Sequence, residues 1–281
     1  MLAAIDAAFA EIERIEPALS DWKDVSELNT LNKRAGTEPM PVSPELFELL
    51  TFSRRLSEAS EGAFDITFAS MRGLWSFKPG EERVPTAAEL NERLPLIDYH
   101  RVVLDPVKRT AAITRAGSRI GLGSVSDGYS AHRASLILTQ RGYPDHLVLS
   151  GGDGCASGAR LDRPWRVGIR DPETGGIWGA LALQDEAIAT SGNYQKFFLK
   201  DGVRYHHILD ARTGMPARGT SSVTVITKGA LMADGWATTL FILGPKRGLE
   251  VARQEGLDAL WFDEDFVVTG TPGMLARIQH E

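Results

Sequence analysis

Apolar residues at Leu2, Ile5, Phe9 and Ile12 recur at spacings of three and four, so the chain opens on an amphipathic helix reaching Ile15 or beyond. The polar stretch DWKDVSELNTLN follows, with a short helical pattern of its own. Ser43-Pro44 puts a serine at the cap and a proline in the first turn, where its missing N–H costs nothing. Leu46, Leu49, Leu50 and Leu56 mark the buried side of that helix. EGAFDITFASMRGLWSF is rich in aromatics, and Thr86-Ala-Ala-Glu89 reads as a capping box. Then the period changes. RVVL and TAAIT around DPVKR predict a hairpin, and GLGSVSDGYSAHRA predicts a glycine-rich loop entering a helix over about 125–140. HLVLS, WRVGIR, ALALQ, AIATSG, QKFFLKDGVRYHHILD and SVTVIT predict strands and turns. GALMADGWATTLFIL and KRGLEVARQEG predict two helices, and ALWF and FVVT late strands. Helices lead, strands follow and helices return without βαβ alternation, which predicts an α+β fold.

Composition adds exclusions. The chain has 281 residues, 43% hydrophobic and 24% charged, within the range of soluble globular proteins. A net charge of −6 with no basic tract argues against a nucleic-acid surface. No apolar run reaches the roughly 18 residues of a membrane span, and no signal-peptide pattern is present. The one cysteine, Cys155, allows no internal disulfide.

Several constellations carry candidate chemistry. Asp234 and Thr238 lie four apart on a predicted helix and share one face; hard oxygen donors of this kind suit Mg²⁺ or Ca²⁺. The alternative is a helix-terminal acid beside a threonine bonded to its own backbone. His206 and His207 are adjacent, so a strand turns them to opposite faces and one of them faces a site. His207 is then either a general base or a histidine satisfied by a backbone carbonyl. LSGGDG lacks the Gly-Lys-Ser/Thr of a phosphate loop, and neither it nor the quoted loop has the glycine spacing and βαβ context of a dinucleotide fingerprint. No G-x-S-x-G elbow surrounds Ser191, which excludes a serine hydrolase of that type.

Taken in order, LSDWKDVSELNTLN, GAFDITFASMRGLWSF, GLGSVSDGYSAHRA, LVLSGGD, PWRVGIRDP, AIATSGNYQKFF, HHILDARTG, SVTVI and ADGWATTLFILG resemble successive blocks of the ApbE-type flavin transferases, from about Leu19 to Gly244. The resemblance implies a single domain over 1–281 made of two packed lobes, with a flavin cleft between them. It implies an enzyme that splits FAD, its substrate, moves FMN to a threonine of an acceptor protein with the help of Mg²⁺, and releases AMP. The acceptor would be a subunit of a membrane redox complex, and the enzyme periplasmic or otherwise exported. Position by position, the resemblance makes Asp234 and Thr238 metal ligands, with a backbone carbonyl from Ser124. It sets Trp22 against the isoalloxazine, and Ala63, Phe64, Asp65 and Ile208 beside the flavin. It makes His207 the candidate base for the acceptor threonine.

The same resemblance marks departures. The family's acidic position before the loop is Gly121 here, and its basic position is Asp127; both would contact FAD. Near another charge, the reversal at Asp127 is worth on the order of a few kcal/mol at an effective dielectric of 20. The family's first strand, with its flavin-contacting Met-Gly-Thr, is missing from this chain. The competing expectation is therefore a catalytically impaired relative that binds a flavin or a partner protein, or an FAD pyrophosphate hydrolase.

Overall fold

A computed structural model describes residues 1–21 and 23–280. In chain order the elements are α1 (Leu2–Leu19), α2 (Glu27–Lys33), β1 (Met40–Pro41), α3 (Pro44–Ala59), α4 (Ala87–Arg93), β2 (Val102–Asp105) and β3 (Thr110–Ile113). Next come α5 (Ser126–Gln140), β4 (His146–Ser150), β5 (Asp153–Ser157), β6 (Trp165–Arg170), β7 (Ile177–Leu183) and β8 (Glu186–Gly192). β9 (Phe197–Lys200), β10 (Val203–His206), β11 (Leu209–Asp210), β12 (Met215–Pro216) and β13 (Ser222–Thr227) follow. The chain ends with α6 (Ala230–Gln254), β14 (Asp258–Phe262), β15 (Val268–Gly270) and α7 (Pro272–Arg277). The fold is α+β, and the strand pairs are antiparallel throughout. Among the described residues no helix is long and apolar enough to cross a membrane.

The local signals account for the helix ends. Ser43 and Thr86 cap α3 and α4 as expected, and the Thr86–Glu89 capping box is complete. Ser26 caps α2 by accepting from the Asn29 N–H at 2.9 Å. The two helices expected on either side of Gly244 are both present within α6, parted where Gly244 leaves the helical conformation with φ 72° just ahead of Pro245. A left-handed glycine ends the first helix and the proline opens the next, so the axis changes direction without a loop.

The chain divides into two compact units. One comprises residues 1–14, 124–192 and 218–281. Its frame is a six-stranded sheet in the order β15-β14-β13-β8-β5-β4. Leu181, Leu183, Ile188, Ile226, Leu260, Phe262 and Met274 form an apolar layer with Ile169 on one face of that sheet. α5 and α6 pack on the sheet from strands β4, β5, β8 and β13. Strand alternation explains the split. Ile188 and Ile226 pair across β8 and β13 on one face, while Ala187, Ala189, Val223 and Val225 are buried on the other.

The second unit comprises residues 15–123 and 193–217. Leu28, Leu31, Leu46, Leu49, Leu50, Leu56 and Ile66 are fully buried in it. The buried Asn32 amide pairs with both backbone groups of Ile120, accepting from its N–H at 2.7 Å and donating to its carbonyl at 2.9 Å. That side chain does the work of a strand neighbour and sets the position of the loop beginning at Gly121.

In the first unit the approach of α5 to α6 depends on one glycine. A Cβ on Gly128 would lie 2.3 Å from the Ala230 carbonyl oxygen and 2.6 Å from the Asp234 Cβ. Backbone stands in the way, so no side chain can swing clear. Gly128→Ala is expected to force the helices apart and to destabilise the protein by about 2–3 kcal/mol. Urea unfolding read by circular dichroism measures this; an unchanged midpoint would refute the tight crossing.

Candidate functional site

The α5–α6 crossing gathers carboxylates. Asp234, on the first turns of α6, is buried, and its Oδ2 accepts from the Gly128 N–H at 2.8 Å. Asp127, one residue earlier in the first turn of α5, is exposed. Asp153, at the start of β5, accepts from the Thr190 N–H at 2.9 Å. Burial raises the pKa of Asp234 well above the usual carboxylate value, and the charges of Asp153 and Asp127 push it further, against the Gly128 bond. Asp153 rises to about 6 through burial and through Asp127, with the Thr190 N–H opposing. Among the described residues no lysine, arginine or histidine forms an ion pair with any of the three.

Hydroxyls complete this region. Thr238 on α6 and Ser191 on β8 lie 3.2 Å apart, Oγ1 to Oγ. The threonine that bonds back to its own helix is the next one, Thr239, which donates to the Gly235 carbonyl at 2.7 Å. Ser124, in the turn leading to α5, has a buried hydroxyl with no hydrogen-bond partner. Uncompensated negative charge, hard oxygen donors and an orphaned hydroxyl fit a hard divalent cation such as Mg²⁺. No three acid, cysteine or histidine side chains among the described residues converge as a metal cage by themselves. A cation here would take the rest of its shell from hydroxyls, carbonyls, water or phosphate oxygens, as Mg²⁺ commonly does.

The second unit holds the other candidates. Ala63 and Phe64 are buried, and the Ala63 carbonyl accepts from the Ala211 N–H at 3.1 Å, tying the GAFD segment to the one after His207. Gly121 donates to the Ile66 carbonyl at 2.9 Å, which joins the loop to the same segment. Asp65 is buried and fully engaged: Oδ1 accepts from the Thr67 N–H and hydroxyl at 2.7 and 2.6 Å, and Oδ2 from the Tyr99 N–H at 2.7 Å. Its carboxylate caps the 3₁₀ turn Ile66–Met71. The segment could therefore meet a ligand through backbone rather than through this acid.

His206 and His207 part as the alternation requires. His206 is buried, and its Nε2 meets the Ala217 carbonyl at 2.9 Å. His207 is half-buried, with Nδ1 3.2 Å from the Lys196 carbonyl. A carbonyl can only accept, so the proton sits on Nδ1 and the Nε2 lone pair is left to take a proton. Burial holds the His207 pKa below the ordinary histidine value, and the Lys196 charge adds to this, so the ring is neutral at pH 7. Ile208 is buried beside it, its carbonyl accepting from the Ala217 N–H. Trp22 lies outside the described residues.

Comparison with known proteins places the chain in a family. The family model described as "ApbE family" matches residues 2–261. The chain belongs to the ApbE family. It is 32% identical to the FAD:protein FMN transferase of Treponema pallidum (strain Nichols), covering 99% of this chain and 82% of that protein. Its fold superimposes on the crystal structure of the ApbE protein of Thermotoga maritima with a TM-score of 0.91 at 30% identity, covering 99% and 92% of the two chains. The flavin transferase ApbE of Vibrio cholerae gives a TM-score of 0.87 at 29% identity, covering 98% and 89%.

The structure gives the loop positions Gly121 and Asp127 their surroundings. A Cβ on Gly121 would lie 3.0 Å from the Ala69 Cβ and 3.2 Å from Asp21 Oδ2. The Asp21 carboxylate thus already occupies the space beside Gly121. Asp127 adds its charge to the acidic group around Asp234. Nothing in the linear pattern marks Asp153 or Ser191 as members of this site: the GGD turn displays its glycines, and Ser191 stands in an ordinary strand segment. Their positions follow from strand pairing of β5 with β8, which a linear pattern does not display.

The raised acids set a pH dependence. Below about pH 3.8 these groups are protonated in both folded and unfolded chains and have no effect on stability. As pH rises, the unfolded chain ionises first, so the folded state is penalised, and for Asp153 the penalty is complete above about pH 6. Asp153→Asn is expected to raise the cation-free Tm at pH 7.5 by about 2–4 °C, with little change at pH 5. Added Mg²⁺ should raise the Tm of the unaltered protein more at pH 7.5 than at pH 5. Calorimetry in EDTA and in Mg²⁺ checks both; equal Mg²⁺ shifts at the two pH values would contradict the charge assignment.

Proposed function

We propose that this protein is a Mg²⁺-dependent FAD:protein FMN transferase. It forms a bond from an acceptor threonine Oγ to the FMN phosphorus, breaks the pyrophosphate bond and releases AMP. The observation that carries the reading is the buried Asp234 carboxylate, beside Asp127 and Asp153 and without a cationic side chain, in a chain of the ApbE family. Asp234 and Thr238, with the Ser124 carbonyl, are the residues that would hold Mg²⁺. Bound there, the cation supplies positive charge to the pyrophosphate oxygens and to the departing AMP.

The chain's own residues supply the rest. His207 Nε2 accepts the threonine proton, and its low pKa keeps that lone pair available near neutral pH. The backbone of Ala63–Asp65, with Ile208 and Trp22, receives the flavin. The acceptor is a threonine-bearing protein, by resemblance a redox-complex subunit. If water replaces threonine, the same residues hydrolyse FAD. A second reading, a relative that binds flavin or a partner without catalysis, is favoured by Gly121 and Asp127 alone. It requires that FAD and Mg²⁺ yield no AMP even at high protein concentration.

FAD titrations by flavin fluorescence and calorimetry, with Mg²⁺ and then with EDTA, test the reading when the same samples are assayed for AMP. Binding is expected to require Mg²⁺, and Asp234→Ala to lower AMP release at least about 100-fold. Undiminished release would remove Asp234 from the site.

Asp127 faces the same phosphates with the wrong sign. Asp127→Lys is expected to tighten FAD binding about tenfold at low salt and less at high salt. Equal affinities at both ionic strengths would show that Asp127 does not face the phosphates.

A further inference from the structure

Register in the β9–β10 hairpin sets Val203 opposite Lys200, Tyr205 opposite Phe198 and His206 opposite Phe197. The ladder runs one residue further, because the His207 N–H donates to the Lys196 carbonyl at 3.1 Å. Residues directly opposite in an antiparallel pair share a face, so Lys196 and His207 stand side by side, with His206 turned to the other face. The Cβ atoms of such a pair are about 5 Å apart. Aromatic packing holds the pair in place. The Phe198 and Tyr205 rings stack at 5.4 Å, Phe77 lies 5.7 Å from Phe198, and Trp75 lies 5.8 Å from Tyr205. Trp75 Nε1 donates to the Gly214 carbonyl at 2.9 Å, and His206 meets the Ala217 carbonyl from the opposite face.

Lys196 is exposed, and among the described residues no carboxylate forms an ion pair with it. Its charge acts on the His207 ring, and among the described residues no other charged side chain does. The Lys196 carbonyl already orients that ring, so the ammonium is not needed for orientation. An unmatched cation opposes a neighbouring base, because it repels the imidazolium that forms when the ring takes a proton. An anion brought to this place removes the opposition, and the proposed reaction brings one. To give its proton to His207 Nε2, the threonine hydroxyl comes within about 3 Å of that nitrogen. The same oxygen attacks the FMN phosphorus from about 3–3.5 Å, which sets the phosphoryl oxygens within roughly 8 Å of the imidazole. An ammonium on the flexible stem of a lysine one cross-strand spacing away covers that distance.

We propose that the Lys196 ammonium binds the nonbridging oxygens of the FMN phosphoryl group as that group passes from AMP to the acceptor threonine. This rests on the flavin-transfer reading above. The threonine Oγ–P bond forms, the P–O bond to AMP breaks with its electron pair leaving on AMP, and the proton moves from Oγ to His207 Nε2. Lys196 keeps its own protons throughout. The phosphoryl oxygens match its charge in the pyrophosphate of FAD and again in the phosphodiester of the product, and they offset the repulsion between the ammonium and the imidazolium.

FMN and riboflavin differ by the phosphate alone, so titrating both in EDTA reads the contact without a metal ion. Flavin fluorescence measures the affinities. Lys196→Met keeps the backbone carbonyl that orients His207 and removes the ammonium. It is expected to weaken FMN binding at least about fivefold at low salt and less at high salt, and to leave riboflavin binding as it was, which also shows that the variant is folded. Lys196→Arg should restore FMN binding. With FAD and Mg²⁺, Lys196→Met should lower AMP release at saturating FAD at least about tenfold, and Lys196→Arg should recover most of it. Proton NMR of the free protein should show the His207 pKa higher in Lys196→Met than in the unaltered chain. Unchanged FMN binding in Lys196→Met, or the same loss in Lys196→Arg, would overturn the proposal. So would equal loss of FMN and riboflavin affinity. An unaltered protein that binds neither flavin would sink flavin transfer and this assignment together, whereas flavin binding and AMP release indifferent to residue 196 would sink the assignment alone.

Discussion

The contact between Gly128 and Asp234 governs the first unit. Hydrogen in place of a methyl group lets α5 meet the start of α6 at backbone distance, and the amide exposed by that approach donates to the Asp234 carboxylate. A single N–H at a helix N-terminus favours negative charge but does not neutralise a buried acid. Asp153 and Asp127 make the deficit larger. The crossing therefore builds a place where burial and like charges oppose ionisation of Asp234, and a divalent cation is what the proposed function would add to balance that charge.

In the second unit several buried polar side chains take the place of backbone partners. Asp65 spends both oxygens on backbone and hydroxyl donors, Asn32 satisfies both backbone groups of Ile120, and His206 meets the Ala217 carbonyl. Asp65 and Asn32 thereby engage both polar atoms of their side chains, although burial still raises the Asp65 pKa. His207 commits Nδ1 to the Lys196 carbonyl, and burial lowers its pKa.

Much of the fold was legible along the chain because its signals are local. The Ser43 cap, the Thr86–Glu89 capping box and the alternation in SVTVIT each act within a few residues, and each produced the element expected. The spacing of Asp234 and Thr238 was legible for the same reason, since one helix carries both. The break at Gly244 was legible as well, since glycine followed by proline ends one helix and starts the next, and both expected helices formed.

By itself, the sequence determined the α+β character, the family, the shared helical face of Asp234 and Thr238, and the opposition of His206 to His207. These depend on periodicity and on the order of motifs. Tertiary structure alone decided that Thr238 meets Ser191, that Asp153 joins Asp234, that Asp65 is consumed by its own turn, and that Asp21 stands beside Gly121. Each of those joins residues from different elements. Their proximity comes from strand register and helix crossing, and the electrostatic consequences come from burial, which no linear spacing of residues encodes.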